Sequence, residues 1–111
     1  MRRRAFIGFL PAMVGALLLV GTAQAGGDPA AGKAKAVACF GCHGENGIGA
    51  APVYPNLAGQ SGPYLELALK AYRERKRAGG NAAVMYPMAA NLSDEDIADI
   101  AAYFSSLPCG R

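Results

Sequence analysis

The sequence predicts an all-α domain with about three main helices. Apolar residues recur at helical spacing in two stretches, within residues 61–78 and residues 92–108. Each stretch opens with a serine that can cap a helix and closes at a glycine pair or a proline. No segment alternates apolar and polar residues as a half-buried strand does. These observations favour helices joined by irregular loops.

Residues 1–25 are predicted to be a secretory signal peptide. Arg2, Arg3 and Arg4 precede an apolar run over residues 6–20, and Ala23-Gln24-Ala25 has the small residues of a cleavage site. An uncleaved membrane anchor is the alternative, but this run is shorter than the ~20 apolar residues of a spanning helix. We expect cleavage after Ala25, no membrane span afterwards, and an exported domain of residues 26–111.

Removing the leader changes the charge balance and the aromatic content. The chain has eleven Lys and Arg against eight Asp and Glu, and the three surplus cations are the leader arginines. A nucleic-acid partner is therefore not expected. There is no Trp, and two of the four Phe, Phe6 and Phe9, lie in the leader. So small a domain with so few large side chains commonly depends on a disulfide, a metal or another internal staple.

The first predicted helix begins after Asp28, which can cap it, and Pro29 suits its first position. We expect it to run up to Cys39. Residues 44–62 follow, rich in glycine and with two prolines, and are predicted to be a loop. A loop of this length in a compact domain is usually functional, and its apolar residues indicate that it wraps around the domain.

The other two helices have clear ends. Ser61 can cap the second helix, and Gly79 and Gly80 are predicted to stop it; its apolar face contains Leu65, Leu69 and Tyr72. The third helix starts at Ser93 with capping-box spacing to Asp96, and Pro108 ends it. Its apolar stripe consists of Ile97, Ile100, Ala101 and Phe104.

The motif CFGCH, residues 39–43, is the attachment signature for c-type haem. Cys39 and Cys42 can each add to one vinyl group of the same porphyrin, and His43 is then held beside the iron. A thioredoxin-like redox pair would lie near strands, which are not predicted here. A zinc site would need all three cysteines, including the distant Cys109. A simple disulfide would leave the histidine unexplained.

The second axial ligand is open at this stage. His43 is the only histidine, and Met85 and Met88 are the only methionines beyond the leader. A lysine would first have to lose a proton, and Cys109 would give a strongly donating thiolate. Methionine opposite histidine is an established haem arrangement that raises the reduction potential. The alternative is that both methionines only fill the core.

The segments AGKAKAVACFGCHGENG, PNLAGQ and MYPMAANLSDEDIADIAAYF resemble the small bacterial periplasmic class I cytochromes c, and especially one half of their two-haem relatives. The resemblance covers roughly residues 28–107 and implies the class I cytochrome c fold around one covalently attached haem c. It implies Met85 as the axial ligand, with Met88 as the alternative. It also implies that His43 donates a hydrogen bond to the carbonyl of Pro55, with Pro52 as the runner-up. The implied haem-lining residues are Tyr54, Leu57, Tyr64, Leu69, Ile97 and Phe104.

The resemblance implies a periplasmic one-electron carrier that exchanges electrons with redox-partner proteins and is not itself an enzyme. The alternative is a haem subunit docked permanently on a periplasmic dehydrogenase, such as a flavoprotein that oxidises sulfide or an alcohol. A ligand sensor or peroxidase would require a weak or displaced methionine. Cys109 is left over once haem uses the other two cysteines, so a disulfide dimer through Cys109 is a further hypothesis.

Overall fold

The computed structural model describes residues 26–110, together with Gly8 and Gly15. The predicted signal peptide, residues 1–25, thus lies outside the described residues apart from those two glycines. From residue 26 to residue 110 the secondary structure is helical, with no strand, so the all-α prediction is confirmed. No helix in this range is long and apolar enough to cross a membrane.

Five α-helices and two 3₁₀ turns follow one another along the chain. They are α1 (Pro29–Lys35), a 3₁₀ turn (Val37–Cys39), α2 (Phe40–His43), α3 (Gly62–Arg73), a 3₁₀ turn (Ala82–Val84), α4 (Met85–Ala89) and α5 (Asp94–Ser106). The three longest, α1, α3 and α5, are the three main helices that the sequence predicts.

The first predicted helix is divided at Ala36. Asp28 caps α1 by accepting a hydrogen bond from Ala30 N, as expected. Ala36 then leaves helical geometry, and its N–H donates to Gly32 O to close α1. The chain continues through the 3₁₀ turn into α2, so Cys39 and His43 lie on a separate helical turn from α1.

The second predicted helix ends earlier than its sequence suggests. Gly79 and Gly80 were the expected stop, but α3 ends at Arg73. Arg75 adopts a left-handed conformation, with φ of 56°. Its N–H donates to Tyr72 O, and Lys76 N–H donates to Ala71 O. This pattern is a Schellman motif, which usually places glycine at the left-handed position. Because arginine occupies that position here, the sequence does not mark the end of the helix.

The ends of α5 agree with the sequence prediction. Ser93 and Asp96 form a reciprocal capping box at its start, and Leu107 caps its end just before Pro108. The helix carries most of the buried side chains, including Ile100, Ala101 and Phe104.

The core lies where α1, α2 and α3 meet α5. Phe40, Tyr103 and Phe104 form a cluster of aromatic rings with centroids 5.1–6.4 Å apart. Gly32 of α1 is buried against α5, and a Cβ at that position would overlap the backbone carbonyl of Asp99. The close approach of α1 and α5 therefore requires glycine at position 32.

The loop between α2 and α3 wraps around the domain, as the sequence indicates. Gly47 O accepts hydrogen bonds from Leu57 N and Ala58 N, which closes the loop on itself. Gly59 N donates to Phe104 O, which attaches the loop to α5. This arrangement brings residues 53–57 to the same side of the domain as α2.

Candidate haem site

His43 is the last residue of α2, and its side chain is buried although it is polar. Its Nδ1 lies 2.9 Å from the carbonyl oxygen of Pro55 in the wrapped loop. Because a carbonyl oxygen only accepts, Nδ1 carries the proton of this hydrogen bond, and in the neutral ring Nε2 is then the nitrogen with the lone pair. The hydrogen bond thus fixes the orientation of the ring, as a carbonyl or carboxylate bound to the free ring N–H does for metal-bound histidines.

Cys39 and Cys42 line the same cavity as His43. Both thiols are half-buried and neither forms a disulfide. Burial raises the pKa of the Cys39 thiol, and the neighbouring Cys42 adds to this rise. The backbone N–H of Ala50 donates to Cys42 O, so the motif is also bound to the start of the wrapped loop. The two thiols and the imidazole therefore lie at one wall of the cavity.

The cavity has a volume of about 600 Å³ and a mostly apolar lining. This volume is within the range of ~300–1,000 Å³ that cofactor sites occupy. The residues that the resemblance implied and that do line it are Tyr54, Leu57, Tyr64, Leu69 and Phe104. Ile97 does not line it, so that expectation was wrong: Ile97 is fully buried two turns before Phe104, and Ile100 is the isoleucine that reaches the cavity.

Met85 and Met88 both line the cavity from α4. Met88 is 44% exposed, whereas Met85 is half-buried. Two thioether sulfurs are therefore available in the same cavity as the imidazole, and Met85 is the more enclosed of the two. Pro52 is exposed, and the carbonyl that His43 contacts belongs to Pro55.

Cys109 lies away from this cavity. Its sulfur is exposed and packs against the backbone of Gly59. Among residues 26–110, no group of three or more His, Cys, Asp and Glu side chains is arranged to hold a metal ion, so the zinc alternative has no site there. Nothing in the structure supports a disulfide dimer through Cys109.

Three polar residues at the cavity were not expected from the sequence: Gln60, Arg77 and Asn81. Gln60 Nε2 donates to Asn56 O, and the Arg77 guanidinium lies 4.8 Å above the Tyr72 ring. Arg77 falls within residues 61–78, the stretch that predicts the second helix, and it is exposed. It reaches the cavity because the chain turns at Arg75, and no sequence signal marked that turn.

The residues present fit a haem group. A cavity of suitable size is lined by two thiols three residues apart, by an imidazole whose orientation is fixed through Nδ1, and by thioether sulfurs from another helix. A helical domain that combines this donor set with an apolar lining is a haem c electron-transfer protein. The family model for cytochrome c matches residues 29–108, and the chain belongs to the cytochrome c family. Its cofactor is covalently attached haem c.

Known cytochromes resemble this chain along most of the described domain. It is 65% identical over 80 residues to cytochrome c-554(548) of Halomonas halodenitrificans, covering 72% of this chain and 96% of that protein. The crystal structure of cytochrome c4 from Pseudomonas stutzeri superposes with a TM-score of 0.65 at 40% identity, covering 74% of this chain and 46% of that one. The chain therefore spans about half the length of that cytochrome c4.

A larger protein contains a similar domain. The structure of a thiosulfate dehydrogenase from Marichromatium purpuratum superposes with a TM-score of 0.69 at 35% identity. The match covers 80% of this chain but only 21% of that chain. The same fold is therefore found both as a small cytochrome and as part of an enzyme.

Proposed function

We propose that this protein is a one-electron carrier whose haem c is attached through Cys39 and Cys42 and whose iron is ligated by His43 and Met85. The buried imidazole of His43 carries this proposal. Its Nδ1–H donates to Pro55 O, so Nε2 is the ring nitrogen left to bind iron at the cavity wall. An imidazole and a thioether would fill both axial positions, leaving no open position for a substrate.

Each residue has a distinct part in this proposal. Haem iron exchanges one electron at a time between Fe(III) and Fe(II). His43 would donate its Nε2 lone pair, and Pro55 O would keep the ring from rotating. The thioether of Met85 is a soft, neutral ligand that favours the reduced state and raises the reduction potential. The apolar lining, including Leu57, Leu69 and Phe104, would exclude water from the site.

Met85 is preferred over Met88 for two reasons. It lies seven residues before Leu92, the spacing that the family resemblance implies. It is also the less exposed methionine, so less of its surface is in contact with water. Met88 would then line the cavity without binding the iron.

The proposed location is the periplasm. The leader pattern of residues 1–25 supports export. The proposed partners are periplasmic redox proteins that give and accept single electrons. The purified protein should therefore have the mass of residues 26–111 plus one haem.

A spectroscopic comparison of the two methionines tests the ligand assignment. The oxidised wild-type protein should show the weak absorption band at the red edge of the visible spectrum that reports an Fe–S(Met) bond. Met85→Ala should abolish this band and lower the reduction potential, because the neutral soft ligand is lost. Met88→Ala is the matched control and should keep the band. A Met85→Ala protein that retains the band would assign the ligand to Met88.

A second candidate function is a haem subunit held permanently on a dehydrogenase. The similarity to part of a thiosulfate dehydrogenase favours this candidate. The two functions differ in stoichiometry, because a permanent subunit purifies with its enzyme at a fixed ratio whereas a free carrier does not. Size-exclusion chromatography of the native protein from its own cells distinguishes them. Removing residues 1–25 from the 111 residues leaves 86, and elution as a monomer of that length supports the free carrier.

A further inference from the structure

The segment that carries Met85 has little structure of its own. Gly79 and Gly80 precede a three-residue 3₁₀ turn, and α4 is only five residues long. A helix of one turn has no stability in isolation, because the cost of nucleating it is not repaid by further hydrogen bonds. The position of the Met85 thioether therefore depends on contacts between this segment and the rest of the domain.

Tyr86, the residue after Met85, makes such contacts. Its hydroxyl donates a hydrogen bond to the backbone carbonyl of Arg77. The guanidinium of Arg75 lies 5.7 Å from the centre of the Tyr86 ring, within the range of a cation–π contact. Met85 lines the haem cavity, whereas Tyr86 does not. Tyr86 thus binds α4 to residues 74–84, the connecting segment between α3 and α4.

The connecting segment is in turn fixed to α3. The Schellman motif at Arg75 turns the chain back after Arg73. The Arg77 guanidinium then lies 4.8 Å above the ring of Tyr72, which is part of α3. We call Tyr72, Arg75, Arg77 and Tyr86 the tyrosine clasp, because two arginines of the connecting segment stack on two tyrosines from different helices. Through this clasp, α4 is connected to α3, which is itself packed on α5.

We infer that Tyr86 is a positioning residue for the axial methionine: the tyrosine clasp holds α4 so that the Met85 thioether stays within reach of the iron. This inference rests on the proposed ligation by Met85. It predicts that weakening the clasp increases the fraction of molecules in which the methionine has left the iron. Exogenous imidazole can measure that fraction, since it binds the oxidised iron only where the methionine has been displaced.

Tyr86→Phe removes the hydroxyl and keeps the ring. Loss of one neutral hydrogen bond shifts an equilibrium by about 3- to 10-fold, so the imidazole affinity of the oxidised protein should rise by about that factor. Tyr86→Ala should have a larger effect because it removes the stacking as well. The matched control is Tyr103→Phe, which also removes a hydroxyl that donates to a backbone carbonyl, that of Glu45, and neither Tyr103 nor Glu45 lines the cavity. Tyr103→Phe should lower the melting temperature without changing the imidazole affinity.

Two results would overturn the inference. One is an unchanged imidazole affinity in Tyr86→Phe; the other is an equal rise in Tyr103→Phe, which would show a general loss of stability. Arg75→Gly provides a second variant if Tyr86→Phe does not fold, since glycine suits the left-handed backbone there and removes the side chain whose guanidinium lies over the Tyr86 ring. It should also raise the imidazole affinity. Failure of the ligand assignment is recognised separately, by a red-edge band that survives in Met85→Ala.

Discussion

Asp99 shows how a single side chain connects the two ends of the domain. Its carboxylate is 8% exposed and accepts hydrogen bonds from Lys35 Nζ at 2.7 Å and from Asp28 N at 2.8 Å. Lys35 also contacts Asp96 at 3.1 Å. Lys35, followed by the Asp28 N–H, holds the pKa of Asp99 below its ordinary value. The same contacts raise the pKa of Lys35.

This carboxylate should make the stability of the protein sensitive to acid. A group whose pKa is lowered by folding stabilises the folded state above its unfolded pKa of about 4, and that stabilisation is lost as the pH falls through the lower folded value. Asp99→Asn should therefore be less stable than wild type at pH 7, and the difference should shrink on going to pH 3. Thermal unfolding followed by circular dichroism across this range measures the effect.

Glu95→Gln is the control for that experiment. Glu95 also lies in α5, in its first turn, and is exposed. The thermal stability of Glu95→Gln should follow that of the wild type closely at every pH. An Asp99→Asn curve parallel to wild type between pH 7 and pH 3 would mean that the Lys35 contact contributes nothing that depends on ionisation.

At the scale of the helices, the contact between α1 and α5 depends on a missing side chain. Gly32 lies against the backbone of Asp99, with no room for a Cβ. Forcing atoms into a packed contact shifts the backbone and costs about 1–3 kcal/mol. The higher helix propensity of alanine offsets about 1 kcal/mol of this cost. Because the Cβ would overlap backbone atoms, Gly32→Ala should lower the unfolding free energy by about 1–2 kcal/mol net. Chemical denaturation measures the loss.

Gly62→Ala is the matched control, since it also places alanine in a helix. The nearest atom to its Cβ would be the Ser105 hydroxyl at 3.5 Å, an ordinary contact. Its unfolding free energy should stay within about 0.5 kcal/mol of wild type. If both variants lost the same stability, the cause would lie in the substitution itself and not in the packing of α1 on α5.

The helices also show which features the sequence could reveal. Local signals identified the Asp28 cap, the Ser93–Asp96 capping box and the CFGCH motif, because each depends on residues close together in the chain. The early end of α3 and the tyrosine clasp were missed. They arise from a left-handed arginine and from aromatic residues that meet only after folding, for which sequence spacing has no signature. Ile97 was assigned to the cavity because helical periodicity identifies a buried face but not what covers it.

For the whole molecule, the cavity is large compared with the core around it. Phe104 and Ile97 are the largest fully buried side chains in the described part of the chain, while the cavity has a volume of about 600 Å³. A domain this small buries little apolar surface, so its folded state is only marginally stable. The bound haem should therefore act as part of the core, and its removal should leave the domain without fixed packing.

A chain that cannot attach haem tests this expectation. The double variant Cys39→Ala and Cys42→Ala should lose its cooperative thermal transition and most of its near-ultraviolet circular dichroism, because the cavity lining has nothing to pack against. The reference is the wild-type holoprotein under the same conditions. A cooperative transition at the wild-type temperature in the haem-free variant would show that the polypeptide alone supplies a sufficient core.

The pairing of α1 with α5 has a consequence for the order of assembly. The helix next to CFGCH finds its packing partner only in α5, about 60 residues later in the chain. In a chain that is exported N-terminus first, the segment with the two thiols emerges before that partner does. Docking of α5, which lines the haem cavity with Ile100 and Phe104, therefore comes last. The pocket for the pigment is thus completed only after the thiols of Cys39 and Cys42 have emerged.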